Sequence, residues 1–96
     1  MSISDLPEND RLIQLAEESA ELAKAALKVI RAKKRDTPIT ETDARLNLLE
    51  EIADVLVCVS VLTTGGDRAR IRQIRQRKKE RWENRICLRE KGEPIL

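Results

Sequence analysis

The sequence has no histidine, no tyrosine and no phenylalanine among its 96 residues, and a single tryptophan, Trp82. Without histidine, no mechanism that needs an imidazole base, nucleophile or metal ligand is available. One aromatic residue excludes a nucleic-acid platform built from several stacked rings and requires an aliphatic core. Three glycines and three prolines supply few turns, which favours a few long helices. The two cysteines, Cys58 in an apolar run and Cys87 in a charged segment, are too few for a disulfide framework and read as free thiols. No apolar stretch approaches the ~20 residues that span a bilayer, and the first residues lack a leader pattern. A reducing cytoplasm is the expected location, with no membrane partner.

What is present is charge and aliphatic surface. Charged residues make up 38% of the chain and apolar residues 41%, too apolar for a disordered chain. The length fits one domain, 1–96, of limited core. The net charge of +2 hides an asymmetry. Residues 1–67 carry 8 basic and 13 acidic side chains, whereas 68–91 carry 11 basic and 3 acidic. An acidic body is followed by a basic C-terminal helix at about 68–90.

Asp5-Leu6-Pro7-Glu8 reads as a helix start, with Asp5 as cap and Glu8 completing a capping box. Leu12, Leu15, Ala16, Ser19, Leu22, Ala23, Ala26, Leu27 and Ile30 then recur at helical spacing. Lys33-Lys34-Arg35 suits a helix C-terminus, and Thr37-Pro38 ends the helix. Thr40-Glu41-Thr42-Asp43 resembles a second capping box, followed by Leu46, Leu49, Ile52, Ala53, Leu56, Val59 and Ser60. The run Val55–Leu62 has valines at alternate positions and, read alone, suits a buried strand. No second strand exists to pair with it, so it is read as helix, apolar all round and buried on several sides. Gly65-Gly66 breaks the chain and Asp67 caps a third helix. There Ile71, Ile74, Lys78, Trp82 or Arg81, Arg85 and Ile86 share roughly one face. The segment from Gly92 to Leu96 is expected to fray. The fold class that follows is all-α: a bundle of about three long helices per chain, completed by oligomerisation.

The first helix contains Glu17-Glu18-Ser19-Ala20-Glu21 and the second Glu50-Glu51-Ile52-Ala53-Asp54. Each holds a carboxylate pair at i, i+3, which projects onto one helix face and repels itself. In an antiparallel hairpin bent near residues 35–40 the two pairs lie within about 4.5 Å in height on facing helices. Four carboxylates then converge. Hard oxygen donors without histidine or cysteine select Mg²⁺, with Mn²⁺ as an alternative, and not zinc. Asp54 opens the most apolar run of the chain, where acids are rarely placed without a partner or a metal. The competing explanation is a solvated acidic stripe with intrahelical ion pairs, Lys24 serving Glu21.

The segments RLIQLAEESAEL, NLLEEIADVL and KKERWENR together resemble the MazG-like nucleotide pyrophosphohydrolases, over roughly residues 10–86. These are all-α enzymes marked by Glu-x-x-Glu on one helix and Glu-x-x-Asp on the next. The resemblance implies Mg²⁺ held by Glu18, Glu21, Glu51 and Asp54, with Glu17 and Glu50 standing behind them or orienting the attacking water. It implies cleavage of a nucleoside triphosphate between the α- and β-phosphates, giving a monophosphate and pyrophosphate. It also implies a homodimer or homotetramer with sites near subunit contacts. Lys78 and Arg85 match a lysine and an arginine of the family's third helix, while Trp82 stands where the family carries asparagine. Lys78, Arg81 and Arg85 would steady phosphates, and Trp82 would stack on a base or anchor packing. Phosphoribosyl-ATP pyrophosphatase shares the motif and the bond broken. Two other classes compete: a basic helix that binds nucleic acid, opposed by the acidic cluster, and an inert oligomerisation module.

Overall fold

The computed structural model describes residues 2–92. A short 3-10 turn, Ile3–Asp5, precedes three helices: α1 Glu8–Lys33, α2 Glu41–Leu62 and α3 Gly65–Glu90. No strand occurs among the described residues, and Val55–Leu62 is helical as expected. No helix among them is long and apolar enough to cross a membrane. Glu93 to Leu96, most of the segment expected to fray, lies outside the described residues.

The chain divides into two compact units, one ending at Leu62 and the other beginning at Thr63. In the first unit α1 and α2 pack as an antiparallel hairpin. Val29, Ala32 and Ala44 cluster with Ile39 and Leu48 near the bend. At the opposite end the Arg11 Nη1 donates to the Val61 carbonyl at 2.8 Å. The buried and half-buried positions of α1 include Arg11, Leu15, Glu18, Leu22, Ala25, Val29 and Ala32. Those of α2 include Ala44, Leu48, Glu51, Val55, Cys58 and Leu62. Both series advance by alternating steps of four and three, the spacing of a coiled-coil seam.

This seam differs from the apolar stripes read along the chain. Leu12, Leu27 and Ile30 of α1 and Leu46, Leu49 and Leu56 of α2 are exposed, although each belongs to a helical apolar series. The buried residues are small: Ala25, Val29, Ala32, Ala44 and Cys58. Small side chains let the two backbones approach, so the hairpin closes on its alanine side and leaves its bulkier aliphatic side outward.

The helix ends follow local chemistry, with two adjustments. The first capping box belongs to the 3-10 turn, where Ser2 and Asp5 cap each other; α1 begins behind Pro7 with no side-chain cap. At the far end of α1, Asp36 N–H donates to the Arg31 carbonyl and Arg35 N–H to that of Ala32. Arg35 adopts φ 60°, a left-handed position usually given to glycine, and this Schellman closure turns the chain before Pro38. Thr40 accepts from the Asp43 N–H, as its spacing predicts.

In the second unit Thr64, not Asp67, is the N-cap of α3; Asp67 completes the box by accepting from the Thr64 N–H. Gly65 and Gly66 therefore sit in the first turn of the helix and not in the break before it. The backbone bond from Thr64, then the Thr64 hydroxyl and Arg68, hold the Asp67 carboxyl below its ordinary range. Only Ile74 and Leu88 of α3 are half-buried; the rest of the helix is exposed.

Candidate functional site

Two positions of the coiled-coil seam that would ordinarily hold aliphatic side chains hold glutamates, Glu18 and Glu51. Asp54 follows Glu51 by one turn. One carboxylate oxygen from each of Glu18, Glu51 and Asp54 lies within 4.8 Å of the other two. Glu18 and Glu51 are half-buried and Asp54 is exposed. The Oε2 of Glu51 is hidden from solvent and has no hydrogen-bond partner. Burial pushes the Glu51 carboxyl above the ordinary glutamate range, and the charges of Asp54, Glu18, Glu21 and Glu50 push it further.

The helices account for this convergence. Glu18 sits in the α1 seam between Leu15 and Leu22, and Glu51 in the α2 seam between Leu48 and Val55. Antiparallel packing then brings them to one level. Gln14, one turn before Glu18, donates from its amide nitrogen to Glu18 Oε1 at 2.8 Å and holds that carboxylate in place. The i, i+4 spacing of Gln14 and Glu18 is the signal in the sequence that marks this pair.

The other expected ligand behaves differently. Glu21 is exposed and pairs with Lys24 at 3.4 Å, the intrahelical partner that competes with metal binding in the sequence. It stands outside the trio, although its charge reaches Glu51. Glu17 and Glu50 are exposed beside their seam neighbours. Lys78, Arg81, Trp82 and Arg85 all belong to the unit that begins at Thr63 and are exposed on α3. Within that unit, Lys78 and Trp82 border one surface hollow with Arg72 and Arg75, and Trp82 and Arg85 border another with Arg89. Among the described residues Lys79 pairs with Glu83 at 3.9 Å, and Gln76 donates to Glu80 at 3.0 Å.

A cavity of about 470 Å³ opens beside the acidic trio, with Glu18 and Asp54 in its wall. Its apolar lining is Ile3 and Leu6 from the N-terminal segment and Val57 and Val61 from α2. Asp10, Arg11 and Gln14 supply its polar lining, and Cys58 closes part of the wall. Nothing in the linear pattern announces this cavity, because the N-terminal segment reaches it through a long-range contact. Arg11 donates from Nε to the Leu6 carbonyl at 3.0 Å and from Nη1 to the Val61 carbonyl, joining that segment to the end of α2. Cys58 is buried; its thiol is raised first by that burial and then by Glu18 and Asp54, which keeps it a neutral packing group.

The donor set fits a hard divalent cation. Three carboxylates meet, one oxygen is hidden and unsatisfied, and the nearby thiol lies outside the trio. Searches against protein-family models, curated proteins and solved structures each return no match.

Proposed function

We propose that this chain is a Mg²⁺-dependent nucleoside triphosphate pyrophosphohydrolase. It cleaves (d)NTP between the α- and β-phosphates to (d)NMP and pyrophosphate. The observation that carries the reading is the hidden, unpartnered Glu51 Oε2 inside a trio of carboxylates, two of them at seam positions. Placing like charges there weakens the hairpin unless a cation offsets them, so the arrangement points to a use.

Glu18, Glu51 and Asp54 would hold Mg²⁺ (or Mn²⁺), with Glu21 joining them once it releases Lys24. Bound there, the metal supplies charge neutralisation of the phosphates and acidification of water. Gln14 keeps Glu18 oriented. Glu17 and Glu50, exposed next to the ligands, would orient the attacking water through their carboxylate oxygens. Lys78, Arg81 and Arg85, which the family resemblance assigns to phosphate binding, belong to the unit that begins at Thr63 and are exposed on α3.

Homo-oligomerisation, as a dimer or tetramer, belongs to the same reading. The hairpin buries no large side chain completely, while Leu12, Leu27, Ile30, Leu46, Leu49 and Leu56 stay exposed. Two hairpins joined through such faces form a four-helix bundle.

The test is pyrophosphate release from a panel of NTPs, dNTPs and phosphoribosyl-ATP, with Mg²⁺ and with EDTA. Metal-dependent release from one or more supports the proposal and ranks the substrates. A folded protein that releases none from the whole panel overturns it.

A further inference from the structure

We infer that the cavity between the N-terminal segment, α1 and α2 receives the nucleoside of the substrate and selects bases that carry an exocyclic amino group. The inference rests on the pyrophosphohydrolase reading for the place of the phosphates, and on the cavity itself for the rest.

The cavity runs from Glu18 and Asp54 toward Arg11 and Val61. From Glu18 to Arg11 the axial distance along α1 is about 10 Å, the span of a nucleoside. A triphosphate anchored at the acids therefore has its nucleoside directed either into this cavity or away from the chain. Ile3, Leu6, Val57 and Val61 offer aliphatic walls to a flat base, and Leu6 and Val57 are exposed enough to gain from being covered.

The polar groups decide which base. Arg11 spends Nε–H and one Nη1–H on the carbonyls of Leu6 and Val61, and its other three N–H groups are donors for a ring nitrogen or carbonyl of the ligand beside its amine. A carboxylate only accepts, so the Gln14 group facing Glu18 is its amide nitrogen. That leaves the Gln14 carbonyl oxygen as a free acceptor. The Asp10 carboxylate has no hydrogen bond or ion pair among the described residues, and it also lines the cavity. Two free acceptors, one of them anionic, call for a ligand that presents donors. The exocyclic amines of adenine, cytosine and guanine do so. The carbonyl that replaces the amine in hypoxanthine or uracil would face Asp10 and be repelled.

The experiment compares pairs that differ at that group and in the hydrogen on the ring nitrogen beside it, ATP with ITP and dCTP with dUTP, by kcat/KM in Mg²⁺. It is run on the wild-type protein and on Asp10→Asn, whose amide both donates and accepts. In parallel, the methyl resonances of Leu6, Val57 and Val61 are followed while α,β-methylene-ATP or its inosine counterpart is added with Mg²⁺. The expected result is a preference of about tenfold or more for the amino base, the scale of one hydrogen bond to a charged group. The preference collapses toward unity in Asp10→Asn, and the methyl resonances shift. Hydrolysis with no amine preference and unmoved methyls overturns the inference while the pyrophosphohydrolase reading stands. Methyl shifts with amine preference in binding but no hydrolysis support the inference and remove the enzymatic reading. Neither hydrolysis nor methyl shifts overturns both.

Discussion

Arg11 and Val61 are joined by a hydrogen bond of 2.8 Å although 50 positions separate them. The guanidinium meets one of the last carbonyls of α2, where the helix leaves acceptors unsatisfied and its dipole is negative. The same side chain holds the Leu6 carbonyl, so one residue ties the open end of the hairpin and the wall of the cavity together. Removing it should cost about 1.5–3 kcal/mol, the range for hydrogen bonds to a charged donor. Arg11→Met keeps most of the aliphatic stem and isolates the lost bonds. Urea denaturation of the two proteins measures the difference; identical midpoints would show the strut to be idle.

Asp54→Asn removes a charge from the trio without changing its shape. Pyrophosphate release should fall by more than the roughly 10–100-fold that groups behind metal ligands are worth. Metal-free, the variant should melt no lower than the parent, because a repulsion has gone. In the parent, Mg²⁺ at 100 times its dissociation constant stabilises by about 2.7 kcal/mol, on the order of 10 °C for a chain this short. The variant should lose most of that rise. Full activity in Asp54→Asn, or equal Mg²⁺ shifts in calorimetry, would remove the metal-site interpretation.

Glu51 gives a pH signature with a definite sign. Its carboxyl is raised by burial and then by the neighbouring acids, so the folded chain binds its proton more readily than the unfolded chain. Between the unfolded and folded pKa values the native state holds more protons, and stability falls as pH rises through that window. Above the folded value the penalty is complete; acidification toward the ordinary glutamate range relieves it. In EDTA, the parent should therefore gain stability relative to Glu51→Gln as pH falls from neutrality, read as a rise in its Tm relative to that of the variant. Parallel pH profiles for the two proteins would contradict the assignment.

Leu56, 62% exposed, lies on the outward aliphatic side of the hairpin. If that side joins copies of the chain, light scattering should give at least twice the 11.0 kDa of one chain. In a two-fold interface Leu56→Glu acts twice, and with about 1.5–3 kcal/mol for a buried leucine it should weaken association at least on the order of 100-fold. A parent protein that scatters as a single chain at high concentration would exclude this assembly.

Much of this was legible in the residues. Capping chemistry at Thr40 and around Asp67, the basic end of α1 and the lack of a pairing partner for Val55–Leu62 placed three helices, because each signal acts within a few residues. The i, i+3 spacing and the matched height of the acidic pairs predict that Glu18, Glu21, Glu51 and Asp54 converge; three of the four, without Glu21, lie together. Local order alone did not decide which of two apolar series faces the partner helix. Leu12, Leu27, Leu49 and Leu56 repeat as regularly as Ala25, Val29, Ala32 and Ala44, and periodicity does not weigh size against fit. The backbones came together over the alanines because close approach needs small side chains. Tertiary structure alone also set the Glu21 carboxylate against Lys24 and outside the trio, and it formed the cavity by folding Ile3 and Leu6 over α2 through Arg11. Those outcomes depend on contacts between residues distant in sequence, whose energies are settled only when the whole hairpin closes.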